Sequence, residues 1–111
     1  QYRLKSRAKF IKLKPENYNL NLPNDFDVIT IKTVLEHLTD PLECIKYLTS
    51  ILKKGGLLIF DYVISEGTGL DTIESLNQRN EVIEFINNNF LVLKGSLNYD
   101  KTINLAVVKK K

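Results

Sequence analysis

The sequence predicts an α/β domain: a mainly parallel sheet with helices on its faces and an antiparallel β-hairpin at its C-terminal end. Three observations carry this. A short, β-branched apolar run at 26–31 and a second continuous apolar run at 57–60 are too short for helices and suit a pleated surface. Between them lies a segment with both helix-end signals and a single apolar face. Beyond residue 90, two further runs are separated only by Asn98-Tyr99-Asp100-Lys101, a turn so short that the runs must be antiparallel. Strands alternating with helices build parallel sheets, because a parallel connection needs a crossover.

Each element has its own justification. Residues 1–8 show no clear period and read as a basic arm. Residues 9–14 alternate Lys-Phe-Ile-Lys-Leu-Lys, a short strand whose lysines suit a sheet edge. Residues 15–24 are turn-rich and read as loop, anchored by Leu20 and Leu22. After the strand at 26–31, Asp40 can cap a helix, Pro41 takes the first helical position, and Glu43 completes a capping box. Leu42, Ile45, Leu48, Ile51 and Leu52 then fall on one face. Lys53 and Lys54 complement the negative end of this helix, and Gly55-Gly56 is expected to stop it. The run at 57–60 completes a βαβ unit with a right-handed crossover and strands buried on both faces. Residues 65–69 form a flexible loop. The next helical segment is expected in two pieces, near 71–78 and 80–88, because Asn77 and Asn80 weaken its middle. A strand at 90–97 with a bulge at Gly95, a turn, a last strand at 102–108 and a lysine tail at 109–111 close the chain. The 111 residues thus make one domain, with its folded part at 9–108.

Composition bounds the function. With 43% hydrophobic and 26% charged residues the chain is globular rather than disordered. No run approaches the roughly 18 apolar residues of a membrane span. Residues 1–14 are basic throughout, without the apolar centre of a signal peptide. The single cysteine, Cys44, rules out an intrachain disulfide, reads as a small buried hydrophobe, and favours a reduced, cytoplasmic setting. The net charge of +3 is unevenly placed: six Lys or Arg and no acid lie in 1–14, and three lysines lie in 109–111. Residues 15–108 are net negative. No aromatic-interleaved nucleic-acid motif accompanies the basic ends, so they read as solvated termini rather than a nucleic-acid surface.

One string carries a family likeness. Phe26-Asp27, Val34-Leu35-Glu36-His37-Leu38, Asp40-Pro41 and Leu52-Lys53-Lys54-Gly55-Gly56 occur in that order. This pattern resembles the second half of class I S-adenosylmethionine-dependent methyltransferases, in particular the type 11 group. Residues 81–95 are similar to that family's last helix and sixth strand, and residues 102–109 to its reversed seventh strand. The resemblance covers roughly residues 9–109 and implies a partial Rossmann-like methyltransferase sheet. The departure is equally specific. The family binds its cofactor on a first strand that ends in a glycine-rich loop, where only glycines let the backbone approach. The glycines here are Gly55, Gly56, Gly67, Gly69 and Gly95, none upstream of Phe26. The chain therefore reads as the C-terminal half of a methyltransferase domain or a truncated relative, with weak or no S-adenosylmethionine binding by itself.

The resemblance also implies site residues. Glu16 and Asn17 fall where the family faces the adenine ring; a carboxylate there can accept a hydrogen bond from the adenine amino group. Without the family they are turn formers after Pro15. Lys32, just beyond the strand at 26–31, would stand where the family's backbone passes the cofactor, and is otherwise an exposed loop lysine. Glu36 and His37 would lie beside the acceptor pocket. His37, the only histidine, is suited to general-base work near neutral pH; the bland alternative is that the pair shapes the loop. Some relatives hold a divalent metal through Glu-x-x-Glu-His, but Thr33 replaces the first Glu, so no metal is expected. Tyr62 and the loop after it are candidates to border the acceptor pocket. The methyl acceptor itself is left open. Two other readings remain: a non-catalytic binding or dimerisation module that pairs through an uncovered sheet edge, and a piece of another nucleotide-binding α/β fold such as a dehydrogenase, against which the hairpin and the Leu-Glu-His-Leu pattern count.

Overall fold

The computed structural model describes residues 26–65, 67–99 and 101–111. The arm, edge strand and loop expected over 1–25 lie outside the described residues. Four strands, β1 (Phe26–Ile31), β2 (Leu52–Tyr62), β3 (Phe90–Lys94) and β4 (Ile103–Lys110), form one sheet in the order β1-β2-β4-β3. Helix α1 (Pro41–Ile51) joins β1 to β2, and α2 (Ile73–Asn89) joins β2 to β3. β1 and β2 are parallel, while β4 is antiparallel to both β2 and β3. β1, β2 and β3 therefore share one direction, and their carboxyl ends share one side of the molecule. The expected mixed sheet with a C-terminal antiparallel hairpin is what forms.

Both crossovers step the same way across the sheet. The right-hand rule then places both helices on the same face, and α1 and α2 indeed pack on each other. The register alternates accordingly. Ile29, Leu58 and Val108 make one transverse row, and Ile31, Phe60 and Ala106 another. Leu58, Phe60, Ala106 and Val108 are fully buried with Ile45 and Leu48 of α1 and Val82, Ile83 and Ile86 of α2. The intervening rows point away from the helices and include Val28, Leu57, Lys109 and Leu91.

Helix α1 begins as its sequence dictates: the Asp40 side chain accepts from the Glu43 N–H at 3.2 Å, and Pro41 follows it. Its end differs from expectation. The helix stops at Ile51, and Lys53, Lys54, Gly55 and Gly56 already belong to β2. Leu52 is buried and paired with Phe26, so tertiary burial ends the helix before the glycines do. The glycines serve a bulge instead: the register jumps from Leu52 opposite Phe26 to Leu57 opposite Val28, and Gly55 sits at φ +82°. Lys53 pairs with Asp27 at 3.1 Å on the surface. The cation at the end of α1 is Lys110, whose Nζ donates to the Thr49 and Leu52 carbonyls at 2.7 Å each. The lysine tail is thus partly strand, since β4 runs on through Lys110.

Helix α2 is one helix rather than two pieces. Thr72 caps it by accepting from the Ser75 N–H at 3.1 Å. Asn77 and Asn80 each cost about 0.7 kcal/mol or less relative to alanine, too little to divide a helix whose other face is in the core. β3 is shorter than expected, ending at Lys94. Gly95 has φ +93°, and a Cβ there would collide with the Leu105 carbonyl oxygen, so glycine closes the strand.

Candidate active site

The ligand end of a parallel sheet lies beyond the carboxyl ends of its strands. Here the exits of β1 and β2 are side by side, and the sequence folds both locally. After Ile31 the chain turns at Thr33, whose φ of 56° is left-handed. For a β-branched residue that conformation costs about 1–2 kcal/mol. Asp61, near the end of β2 and only 6% exposed, offsets it. The Thr33 N–H donates to Asp61 Oδ1 at 2.6 Å, and Thr33 Oγ1 lies 3.5 Å from Oδ2. A hydrogen bond to a charged acceptor is worth about 1.5–3 kcal/mol, enough to hold the turn.

The chain then makes a short 3-10 turn, Leu35–His37, with Leu35 buried as its anchor. Glu36 turns inward: its side chain is 2% exposed, while that of His37 is 55% exposed. Glu36 Oε1 accepts from the Val63 N–H at 3.3 Å, and Oε2 lies 3.5 Å from His37 Nε2. Thus a buried carboxylate stands behind an exposed imidazole, with Nδ1 as the imidazole's other nitrogen. Tyr62 completes this corner. Burial pushes its phenol up to about 12, against the nearby Arg79 charge and with some help from Glu36.

Arg79 is the residue that sequence reading missed. It is fully buried on α2, its guanidinium carbon 6.0 Å from the centre of the Tyr62 ring. Its Nη2 donates to the Asn98 and Lys101 carbonyl oxygens, and its Nη1 to Asn80 Oδ1 at 3.2 Å. Thr102 adds a second tie, its Oγ1 accepting from the Ile64 N–H at 2.8 Å and donating to the Ile64 carbonyl at 2.9 Å. The β3–β4 connection is therefore fastened against the segment leaving β2. Arg79 falls between Leu76 and Ile83 at helical spacing, and a lone cation on an apolar stripe was the available signal. Asp61 was missed too, and with it the bond that holds Thr33; the signal for Asp61 was its place as the first polar residue after a buried strand run.

Of the residues singled out from sequence, Glu36 and His37 are brought together at the strand ends. Lys32 is exposed at the exit of β1. Glu16 and Asn17 lie outside the described residues. Cys44 is buried, as expected, and burial pushes its thiol up to about 11. Among the described residues, no group of three or more His, Cys, Asp or Glu side chains gathers to hold a metal, and no helix is long and apolar enough to cross a membrane.

The sheet order, the reversed β4 and the position of the strand-end corner invite comparison with known proteins. The model of a methyltransferase domain family matches residues 3–92. The chain belongs to this methyltransferase domain family. Over 49 residues it is 39% identical to the ubiquinone biosynthesis O-methyltransferase of Colwellia psychrerythraea, an alignment covering 44% of this chain and 20% of that protein. Among solved structures, the N-methyltransferase NodS from Bradyrhizobium japonicum WM9, in complex with S-adenosyl-L-homocysteine, superposes with a TM-score of 0.59 at 16% identity. That superposition covers 97% of this chain and 58% of NodS. At that identity the likeness is one of fold, and it places this methyltransferase domain in the Rossmann-like class. The chain spans 20% of the length of the curated relative and 58% of NodS.

Proposed function

We propose that this methyltransferase domain supplies the acceptor side of a site that moves a methyl group from S-adenosylmethionine to a nucleophilic acceptor. The observation that carries this reading is the pairing of exposed His37 with buried Glu36 at the adjoining carboxyl ends of β1 and β2. When bound, S-adenosylmethionine supplies an electrophilic methyl carbon on a sulfonium. The residues of this chain orient the acceptor and take its proton. His37 faces solvent and accepts that proton, while Glu36 stabilises the imidazolium that results. Proximity and alignment carry much of such a transfer, so a rigid acceptor wall matters as much as the base. Tyr62 and the connection fastened by Arg79 build that wall.

The described residues fit the acceptor half better than the cofactor half. The Asp61 carboxylate is committed to Thr33, and Glu36 to Val63 and His37, so neither is free for ribose hydroxyls. Lys32, with Glu16 and Asn17, is assigned to the cofactor side by the family resemblance. In the complete protein these three would line the S-adenosylmethionine site; these 111 residues by themselves bind it weakly or not at all. Isothermal titration of the 111-residue chain tests this, and micromolar affinity would refute it.

The acceptor class is tested with protein expressed from the whole gene. Transfer of a labelled methyl group to a panel of phenol, amine and carboxylate acceptors is expected for at least one class; transfer to none of them, with the donor bound, would count against the reading. The buried free thiol accords with a cytoplasmic setting. Among the described strands β1 lies at the edge of the sheet, and that edge is proposed to pair with a second copy of the chain; a clean monomer by light scattering at high concentration contradicts that.

A further inference from the structure

We propose that Asp61 is a positioning residue of this site, because Asp61 and Glu36 brace the exits of β1 and β2 against each other and so fix His37. The brace is reciprocal. Asp61, on β2, holds the backbone N–H of Thr33 in the exit of β1 at 2.6 Å. Glu36, in the exit of β1, holds the backbone N–H of Val63 in the exit of β2 at 3.3 Å. Each carboxylate thus crosses from its own strand end to the other's, and both are shielded from solvent.

Two features show that the device is more than a pair of chance contacts. Thr33 is held at φ 56°, a conformation that a β-branched residue leaves unless something holds it there. The turn it makes delivers the chain directly into Leu35–His37, so the direction in which Glu36 and His37 leave the sheet is set at Thr33. Releasing Asp61 frees that turn, withdraws Glu36 from Val63, and moves His37, which Asp61 does not itself touch in any described hydrogen bond. A residue that served only the packing of β2 would have no such reach.

The proposal rests on the reading of His37 as the proton acceptor for methyl transfer, but the brace is measured without any transfer. The sole histidine gives its own ring signals by NMR, and the Val63 amide reports the far arm through hydrogen exchange. In the full 111-residue chain, Asp61→Ala is expected to displace the His37 ring signals and to speed Val63 exchange about tenfold or more. Asp61→Asn keeps an oxygen that accepts from the Thr33 N–H but loses the charge, and should displace both readouts clearly less than Asp61→Ala does. Adding Thr33→Gly to Asp61→Ala should restore both, because glycine takes the left-handed turn without help. Unmoved His37 signals and unchanged Val63 exchange in Asp61→Ala overturn the proposal, as does Asp61→Asn behaving like Asp61→Ala. Should Asp61→Ala fail to fold, the double variant decides: folding with wild-type His37 signals supports the brace, and failure to fold overturns it. Loss of the brace would leave the methyltransferase reading standing, and loss of that reading would leave the brace standing.

Discussion

Arg79 carries a permanent charge into the interior, where it donates to the Asn98 and Lys101 carbonyls and lies over Tyr62. Truncation leaves those carbonyls without their donor and opens a cavity beneath the site. Arg79→Ala is therefore expected to cost about 3 kcal/mol or more, read as a lower urea midpoint with little change in slope. Titration gives a second residue-scale prediction. The buried Tyr62 phenol and Cys44 thiol are both raised in the folded state, to about 12 and about 11 from 10.0 and 9.0. In the unfolded chain they ionise first, so their contribution is complete below pH 9 and is lost as pH climbs from 9 to 12. Tyr62→Phe should flatten the upper part of that alkaline loss in thermal melts. Neither Arg79 nor Asp61 was singled out from sequence, because their roles depend on carbonyls and amides far along the chain. The placement of Glu36 and His37 just beyond β1 was legible because a contiguous motif carries them.

At the scale of elements, the local signals held and the non-local ones did not. Helix α1 starts where Asp40, Pro41 and Glu43 say it should, since capping is decided within four residues. Its end was misplaced because the deciding facts are distant: Leu52 pairs with Phe26, and Lys110 reaches the last carbonyls from the final strand. Lys110→Met, which keeps the stem and removes the donor, is expected to destabilise by about 1–2 kcal/mol in urea unfolding. The same lesson applies to α2, where weak asparagine propensity was outweighed by the burial of Val82, Ile83 and Ile86. Gly95 ends β3 at positive φ against the Leu105 carbonyl, so Gly95→Ala should cost about 2 kcal/mol or more. Its place near the hairpin was legible; the end of the strand there was not, because it depends on β4 passing close by.

At the scale of the molecule, the βαβ unit and the C-terminal hairpin were readable from apolar runs, and the reversal of the last strand followed from the family resemblance; the place of β4 between β2 and β3 came only from the structure. The strands read as buried on both faces, yet the described helices cover only one. Val28 is 49% and Leu91 56% exposed on the other. Parallel strands of this composition are normally covered on both sides. The 111-residue chain should therefore gain mass with concentration in light scattering, and Val28→Lys with Leu91→Lys should suppress this. The arrangement of the site follows the same geometry: three strands end on one side, and the exits of two of them carry His37, Glu36, Asp61 and Tyr62. The most direct measurement is single-turnover methyl transfer by protein expressed from the whole gene, comparing wild type with His37→Asn. If His37 takes the acceptor's proton, the rate should fall about 10²–10⁴-fold with donor affinity unchanged. Transfer at the wild-type rate without His37 would contradict the account.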